Sequence, residues 1–126
     1  METILLVDDE PAVLALCQTI LKSGGYNVLS AGNGQDALLL LQDSAIDVDL
    51  ALLDVMMPGI NGVELATRIL VENPAIKIVL MSGFAPAEIA SVVDDHPYGI
   101  IWKPFKTESL LKMIENALGD ARGRIA

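Results

Sequence analysis

The sequence predicts an α/β fold, a doubly wound parallel sheet of five strands with helices on both faces. Three observations predict it. Short apolar runs of strand length alternate with stretches of helical period, the pattern of repeated βαβ units. The apolar runs are near-continuous, as in strands buried on both faces. A chain of 126 residues, 52% of them hydrophobic, suffices for one core and not for two.

Ile4 to Val7 is the first buried strand. Behind it Asp9 or Glu10 serves as helix cap, and Pro11 takes the first helical position, where a missing N–H costs little. Val13, Leu14, Leu16, Cys17, Ile20 and Leu21 form the apolar stripe of the first helix, which stops at Gly24-Gly25. Cys17 lies on that stripe and reads as core. Tyr26 to Ala31 is a second strand with less regular alternation, and Gly32-Asn33-Gly34 turns the chain into a second helix through Leu38 and Leu41.

Leu50 to Leu53 is the third strand, ended by Asp54. The loop Met57-Pro58-Gly59-Ile60-Asn61-Gly62 leads into a third helix from about Val63 to Glu72, and Pro74 bars its continuation. Ile76 to Met81 is the fourth strand, with Ser82-Gly83 as its polar exit. Pro86 to Val93 is a short fourth helix, and Gly99 to Trp102 the fifth strand. Thr107 caps a last helix that runs to Leu118 before Gly119. The chain thus divides into one domain over residues 3–119 and a C-terminal tail or linker, 120–126, that lacks an apolar stripe.

Seventeen acidic residues against 8 basic ones give a net charge of -9. Such a surface repels nucleic-acid phosphates, so direct binding to nucleic acid is not expected. With Cys17 alone, neither an intrachain disulfide nor a cysteine-rich zinc site can form. Asp8-Asp9-Glu10 cuts short any signal-peptide core, and no apolar run reaches the ~20 residues that span a bilayer. A cytoplasmic protein without membrane association is expected, and Met1 favours an authentic N-terminus.

Asp8-Asp9, Asp54, Ser82 and Lys103 each follow a different apolar strand. In an open parallel sheet the strand C-termini share one edge, where ligand sites form, so these five side chains converge there. Three carboxylates in one crevice repel one another, and a divalent cation relieves that repulsion. All-oxygen donors select a hard ion such as magnesium, or manganese, with Asp9 and Asp54 as direct ligands and Asp8 acting through water. Asp54 also suits the nucleophile of phosphoryl transfer, with Lys103 and the Ser82 hydroxyl compensating charge on the phosphoryl oxygens.

Taken singly, each residue has a plainer reading. An isolated aspartate after a strand is more often a helix cap, a serine a turn residue, a lysine a solvated charge. Met56 and Met57 fit loop and core packing better than a partner surface, and His96, beside Pro97, fits a loop role.

The ordered motifs Val7-Asp8-Asp9-Glu10, Leu53-Asp54-Val55-Met56-Met57-Pro58-Gly59-Ile60-Asn61-Gly62, Met81-Ser82-Gly83 and Lys103-Pro104-Phe105 resemble the receiver domains of bacterial two-component signalling, over about Thr3 to Leu118. The resemblance implies a flavodoxin-like fold with strand order 2-1-3-4-5, an order that the chemotaxis member of this family itself exemplifies. It implies Asp54 as phosphoacceptor, Asp8 and Asp9 as an acid pair, and the Met56 backbone carbonyl as a further metal contact. Ser82 matches the family's switch hydroxyl and Lys103 its lysine, with a cis bond expected at Lys103-Pro104. The aromatic switch residue of the family falls at Ile100, which offers neither a ring nor a phenol hydroxyl. Tyr98 and Trp102 share the Ile100 face if strand alternation holds.

The resemblance further implies a sensor histidine kinase or histidine phosphotransfer protein as phosphodonor, and a downstream effector protein or domain. Output would pass through the face made by the expected fourth helix, fifth strand and last helix. The chain then acts as a phosphoacceptor and not as a turnover enzyme. Two other functions compete: a receiver-like interaction module independent of phosphorylation, against which all five site residues argue and for which Ile100 leaves a small opening, and an aspartate-nucleophile phosphohydrolase. The second lacks a general acid beside Asp54, where Val55 and Met56 follow, and lacks a substrate-capping insertion.

Overall fold

The computed structural model describes residues 1–83 and 99–123. The helix expected at Pro86–Val93, together with His96 and Tyr98, lies outside the described residues. Within them the elements are β1 (Thr3–Val7), α1 (Pro11–Ser23), β2 (Asn27–Ala31), α2 (Gly34–Leu41), β3 (Leu50–Asp54), α3 (Gly62–Glu72), β4 (Lys77–Ser82), β5 (Gly99–Trp102) and α4 (Thr107–Gly123). The five strands form one parallel sheet in the order β2-β1-β3-β4-β5. The expected α/β class and strand order are both found.

Strand alternation sorts the core into two layers. Leu5, Val7, Ala51, Leu53, Ile78 and Leu80 face α2 and α3, where Ala37, Leu65, Ala66 and Ile69 meet them. Ile4, Leu6, Leu50, Leu52, Val79, Met81 and Ile101 face α1 and α4, against Cys17, Leu21, Leu110 and Ile114. Every residue of the central strand β3 is buried. Cys17 is core, as its position on the α1 stripe requires.

The helix starts show where local chemistry does the work. Asn33 and Asn61 accept hydrogen bonds from the Asp36 and Glu64 amides, side-chain caps that fix α2 and α3. Pro11 does open α1, but Glu10 at the cap position makes no side-chain cap bond, and its own amide donates to Asp8 Oδ1. On α1, Leu16 stands 55% exposed and does not join the core stripe.

Two expectations about the last helix are corrected. The Lys106 carbonyl accepts the first helical bond, from the Leu110 amide, so Thr107 lies inside the helix and does not cap it. The helix passes Leu118 and Gly119 and runs to Gly123. Glycine ends a helix by adopting positive φ, and among the described glycines only Gly25 and Gly59 do so. At an ordinary helical angle Gly119 costs about 1 kcal/mol relative to alanine, too little to stop a helix held by Leu110, Ile114 and Leu118.

The same alternation prepares the site. Asp8, Asp54 and Lys103 each stand two residues beyond a side chain of the α1/α4 layer, namely Leu6, Leu52 and Ile101. Leu6 pairs with Leu52, so Asp8 and Asp54 leave adjacent strands side by side.

Candidate functional site

Among the described residues, the buried polar or charged side chains are Asp8, Asp54 and Ser82, all at the C-terminal edge of the sheet. Three isolated carboxylate or hydroxyl groups would be costly to bury there, so their partners matter. Asp8 Oδ1 accepts the Glu10 amide at 2.9 Å, and its Oδ2 accepts Lys103 Nζ at 2.9 Å. Lys103 Nζ also lies 3.3 Å from Asp54 Oδ1. One ammonium is thus shared between two buried carboxylates.

The backbone aims that lysine. The Lys103 amide donates to the Ser82 carbonyl at 2.8 Å, extending the β4–β5 ladder by one bond. The Lys103-Pro104 bond is cis, as the family resemblance implies. Asp9 is exposed at the rim, yet it offers a carboxylate oxygen within 4.8 Å of oxygens of Asp8 and Asp54. Ser82 is wholly buried at the end of β4, one residue past Met81, which pairs with Asp54.

Charge in this crevice does not balance. Three carboxylates face one ammonium. Burial pushes the Asp54 carboxyl from its ordinary 3.8 up to about 6, the Asp8 charge adds to the rise, and Lys103 only partly opposes it. Burial alone would weaken the Lys103 ammonium, but its hydrogen bond to Asp8 and the charges of Asp54 and Asp8 outweigh that and raise its pKa. Beneath the site the Cys17 thiol is raised to about 11, first by burial and then by the nearby Asp8, so it stays protonated near neutral pH.

The residues expected from the sequence therefore come together as Asp8, Asp9, Asp54 and Lys103, with Ser82 at the neighbouring strand end. The Met56 side chain is 51% exposed in the loop after Asp54, whereas Met57 is buried. Ile100 is half-buried against the α2/α3 layer, and Trp102 is 37% exposed.

In the sequence Gly62 is the last residue of the loop that leads into the third helix; its position there has a sharper reason. A Cβ there would collide with the Asp54 carbonyl oxygen and come within 2.9 Å of the Val55 Cα. The Gly62 amide meanwhile donates to the Val55 carbonyl at 2.9 Å. The start of α3 is pressed against the backbone that carries Asp54, which only glycine allows. The glycine was visible in the sequence, but its close approach was not.

A family model described as the response regulator receiver domain matches residues 4–115. The sensor kinase CckA of Brucella abortus is 33% identical over 117 residues, which are 92% of this chain and 12% of the kinase. A CheY-like receiver domain protein from Methanospirillum hungatei superimposes with a TM-score of 0.88 at 27% identity, covering 98% of both chains. The response regulator protein TrrA of Thermotoga maritima, solved in complex with Mg2+ and BeF, has a TM-score of 0.82 at 30% identity and covers 93% of this chain and 99% of its own. Three curated relatives at 33% identity extend well beyond the match, since the chain spans 12%, 31% and 27% of their lengths.

Proposed function

The chain belongs to the response regulator receiver domains of two-component systems, and from that premise we propose that it accepts a phosphoryl group on Asp54 and signals through the resulting change of its surface. The observation that carries this reading is the sharing of Lys103 between Asp8 and Asp54 with Asp9 at the rim. Three carboxylates against one ammonium leave two negative charges, the charge that one divalent cation balances. The donors are all oxygen, which suits magnesium or manganese. Asp8, Asp9, Asp54 and the Met56 backbone carbonyl would hold the ion. When bound, it supplies positive charge to the phosphoryl oxygens and offsets the repulsion among the carboxylates.

The chain's own groups divide the remaining work. An Asp54 carboxylate oxygen forms the bond to phosphorus while the bond from phosphorus to the donor nitrogen breaks, and that electron pair returns to a protonated imidazole on the partner. Lys103, already within reach of Asp54, places its ammonium beside the new phosphoryl charge. The Ser82 hydroxyl donates to a phosphoryl oxygen once drawn toward it. Burial keeps the nucleophile dry, and Gly62 fixes the backbone behind it.

The phosphodonor is a sensor histidine kinase or a histidine phosphotransfer protein, and the setting is cytoplasmic. The signal leaves through the face of β5 and α4 toward an effector protein or domain. Ile100 cannot supply a swinging phenol, so repacking of this aliphatic side chain and of Trp102 replaces the aromatic half of the switch. The chemistry is a single self-phosphorylation followed by self-dephosphorylation, without turnover of a metabolite.

Incubation with magnesium and acetyl phosphate tests the proposal. Wild type should gain one phosphoryl group, while Asp54→Asn and wild type with excess chelator should gain none. Equal labelling of Asp54→Asn would refute the assignment.

A further inference from the structure

The loop between β3 and α3 carries the Met56 backbone carbonyl, one of the contacts proposed for the metal ion, and packing sets its shape. Val55, Met57 and Ile60 are buried in the layer that faces α2 and α3, while the Met56 side chain is exposed. Both ends are tied down. The Val55 amide donates to the Met81 carbonyl at 2.9 Å, and the Gly62 amide to the Val55 carbonyl at 2.9 Å. Between them Gly59 turns the chain at a left-handed φ of 76°.

The middle of the loop rests on α2. Gly34, the first residue of that helix, is buried, and a Cβ there would stand 2.9 Å from the Ile60 Cβ and 3.3 Å from its Cγ2. The Ile60 Cβ is fixed to the backbone, so no change of rotamer relieves such an overlap and the loop itself has to move. The Asn33 cap holds this end of α2, its side chain accepting from the Asp36 amide at 2.8 Å. A capped helix start without a side chain is thus the seat of the metal loop.

The accuracy of that seat matters more for one ion than for another. Magnesium demands near-ideal octahedral geometry at about 2.0–2.1 Å, whereas calcium accepts irregular oxygen cages at about 2.3–2.6 Å. A displaced loop carbonyl therefore costs magnesium more than calcium. We propose that the Gly34–Ile60 contact positions the metal loop and so makes the site select magnesium over calcium. This inference rests on the proposed metal role of Asp8, Asp9, Asp54 and the Met56 carbonyl. Gly34 and Ile60 are positioning residues, which act on the ion through the loop.

Nuclear magnetic resonance titrations of the whole chain with magnesium chloride and with calcium chloride, without phosphodonor, test this. Saturable shifts of the Asp9, Asp54 and Met57 amides report the bound ion. Gly34→Ala presses on the loop and Ile60→Ala loosens it. In each, magnesium affinity should fall about tenfold or more and calcium affinity about twofold or less. Gly32→Ala, whose Cβ meets open space, should keep the wild-type ratio of the two affinities. Loss of fold stability acts on both ions alike, so an unchanged ratio in Gly34→Ala and Ile60→Ala would overturn the proposal and leave the metal reading intact. Wild type without saturable magnesium shifts, or Asp9→Asn with wild-type magnesium affinity, would overturn the metal reading and the proposal with it.

Discussion

Replacing Asp54 by asparagine should stabilise the metal-free protein at neutral pH, although the change removes a buried ion-pair partner. Truncating one member of a buried pair ordinarily costs about 3–5 kcal/mol, because a charge is left uncompensated. Here the order of the contacts reverses that expectation. Lys103 keeps its shorter bond to Asp8, at 2.9 Å, when the longer one to Asp54, at 3.3 Å, is lost. What disappears is the excess carboxylate.

The rise of the Asp54 pKa from 3.8 to about 6 means that the folded protein holds this proton more tightly than the unfolded chain does. The stabilising contribution is therefore complete below about pH 4 and lost as the pH climbs through 6. Above that, ionised Asp54 costs roughly 3 kcal/mol, and at pH 5 about half of that. Asp54 is 4% exposed, so solvent screening takes little from this figure. Urea unfolding of wild type and Asp54→Asn in chelator should show the variant more stable by about 2–3 kcal/mol at pH 7.5, with the gap closing toward pH 4. Magnesium should narrow the gap by stabilising wild type alone. A variant that is less stable at pH 7.5, or a gap that ignores pH, would refute the reasoning.

Lys103→Met should lose about 2–4 kcal/mol at pH 7.5 in urea unfolding and recover part of it near pH 5, since Asp8 and Asp54 then stand without a cation. The Asp54 carboxyl, followed by NMR titration, should move above its wild-type value, because Lys103 is the group that holds it down. Gly62→Ala should cost about 3 kcal/mol or more by pressing on the Asp54 backbone, whereas Gly32→Ala, with open space around its Cβ, should change the unfolding midpoint little. Asn61→Ala should cost about 1 kcal/mol through the lost Glu64 cap.

Much of the fold and the site was legible in the sequence for one physical reason. Parallel strands buried on both faces read as apolar runs, so the polar residues that end them stand out, and the sheet gathers those ends on one edge. Asp8, Asp9, Asp54 and Lys103 are found together on that account. Contacts that depend on side-chain direction were not legible. Composition does not say that Lys103 lies nearer Asp8 than Asp54, nor that the Glu10 amide donates to Asp8, nor that the Glu10 side chain leaves α1 uncapped. Leu16 fits a helical stripe by spacing alone, but it falls at the stripe's edge and stays in solvent while Cys17, Ile20 and Leu21 are buried. Gly119 resembles a stop only if its φ is positive, and no residue type fixes that.

The family sets the frame, and Asp54 carries the claim. After phosphorylation with acetyl phosphate and magnesium, reduction with tritiated borohydride converts an aspartyl phosphate to labelled homoserine. Peptide sequencing should find that label at position 54 and at no other residue. Label at Asp8, Asp9 or any other carboxylate would contradict the account.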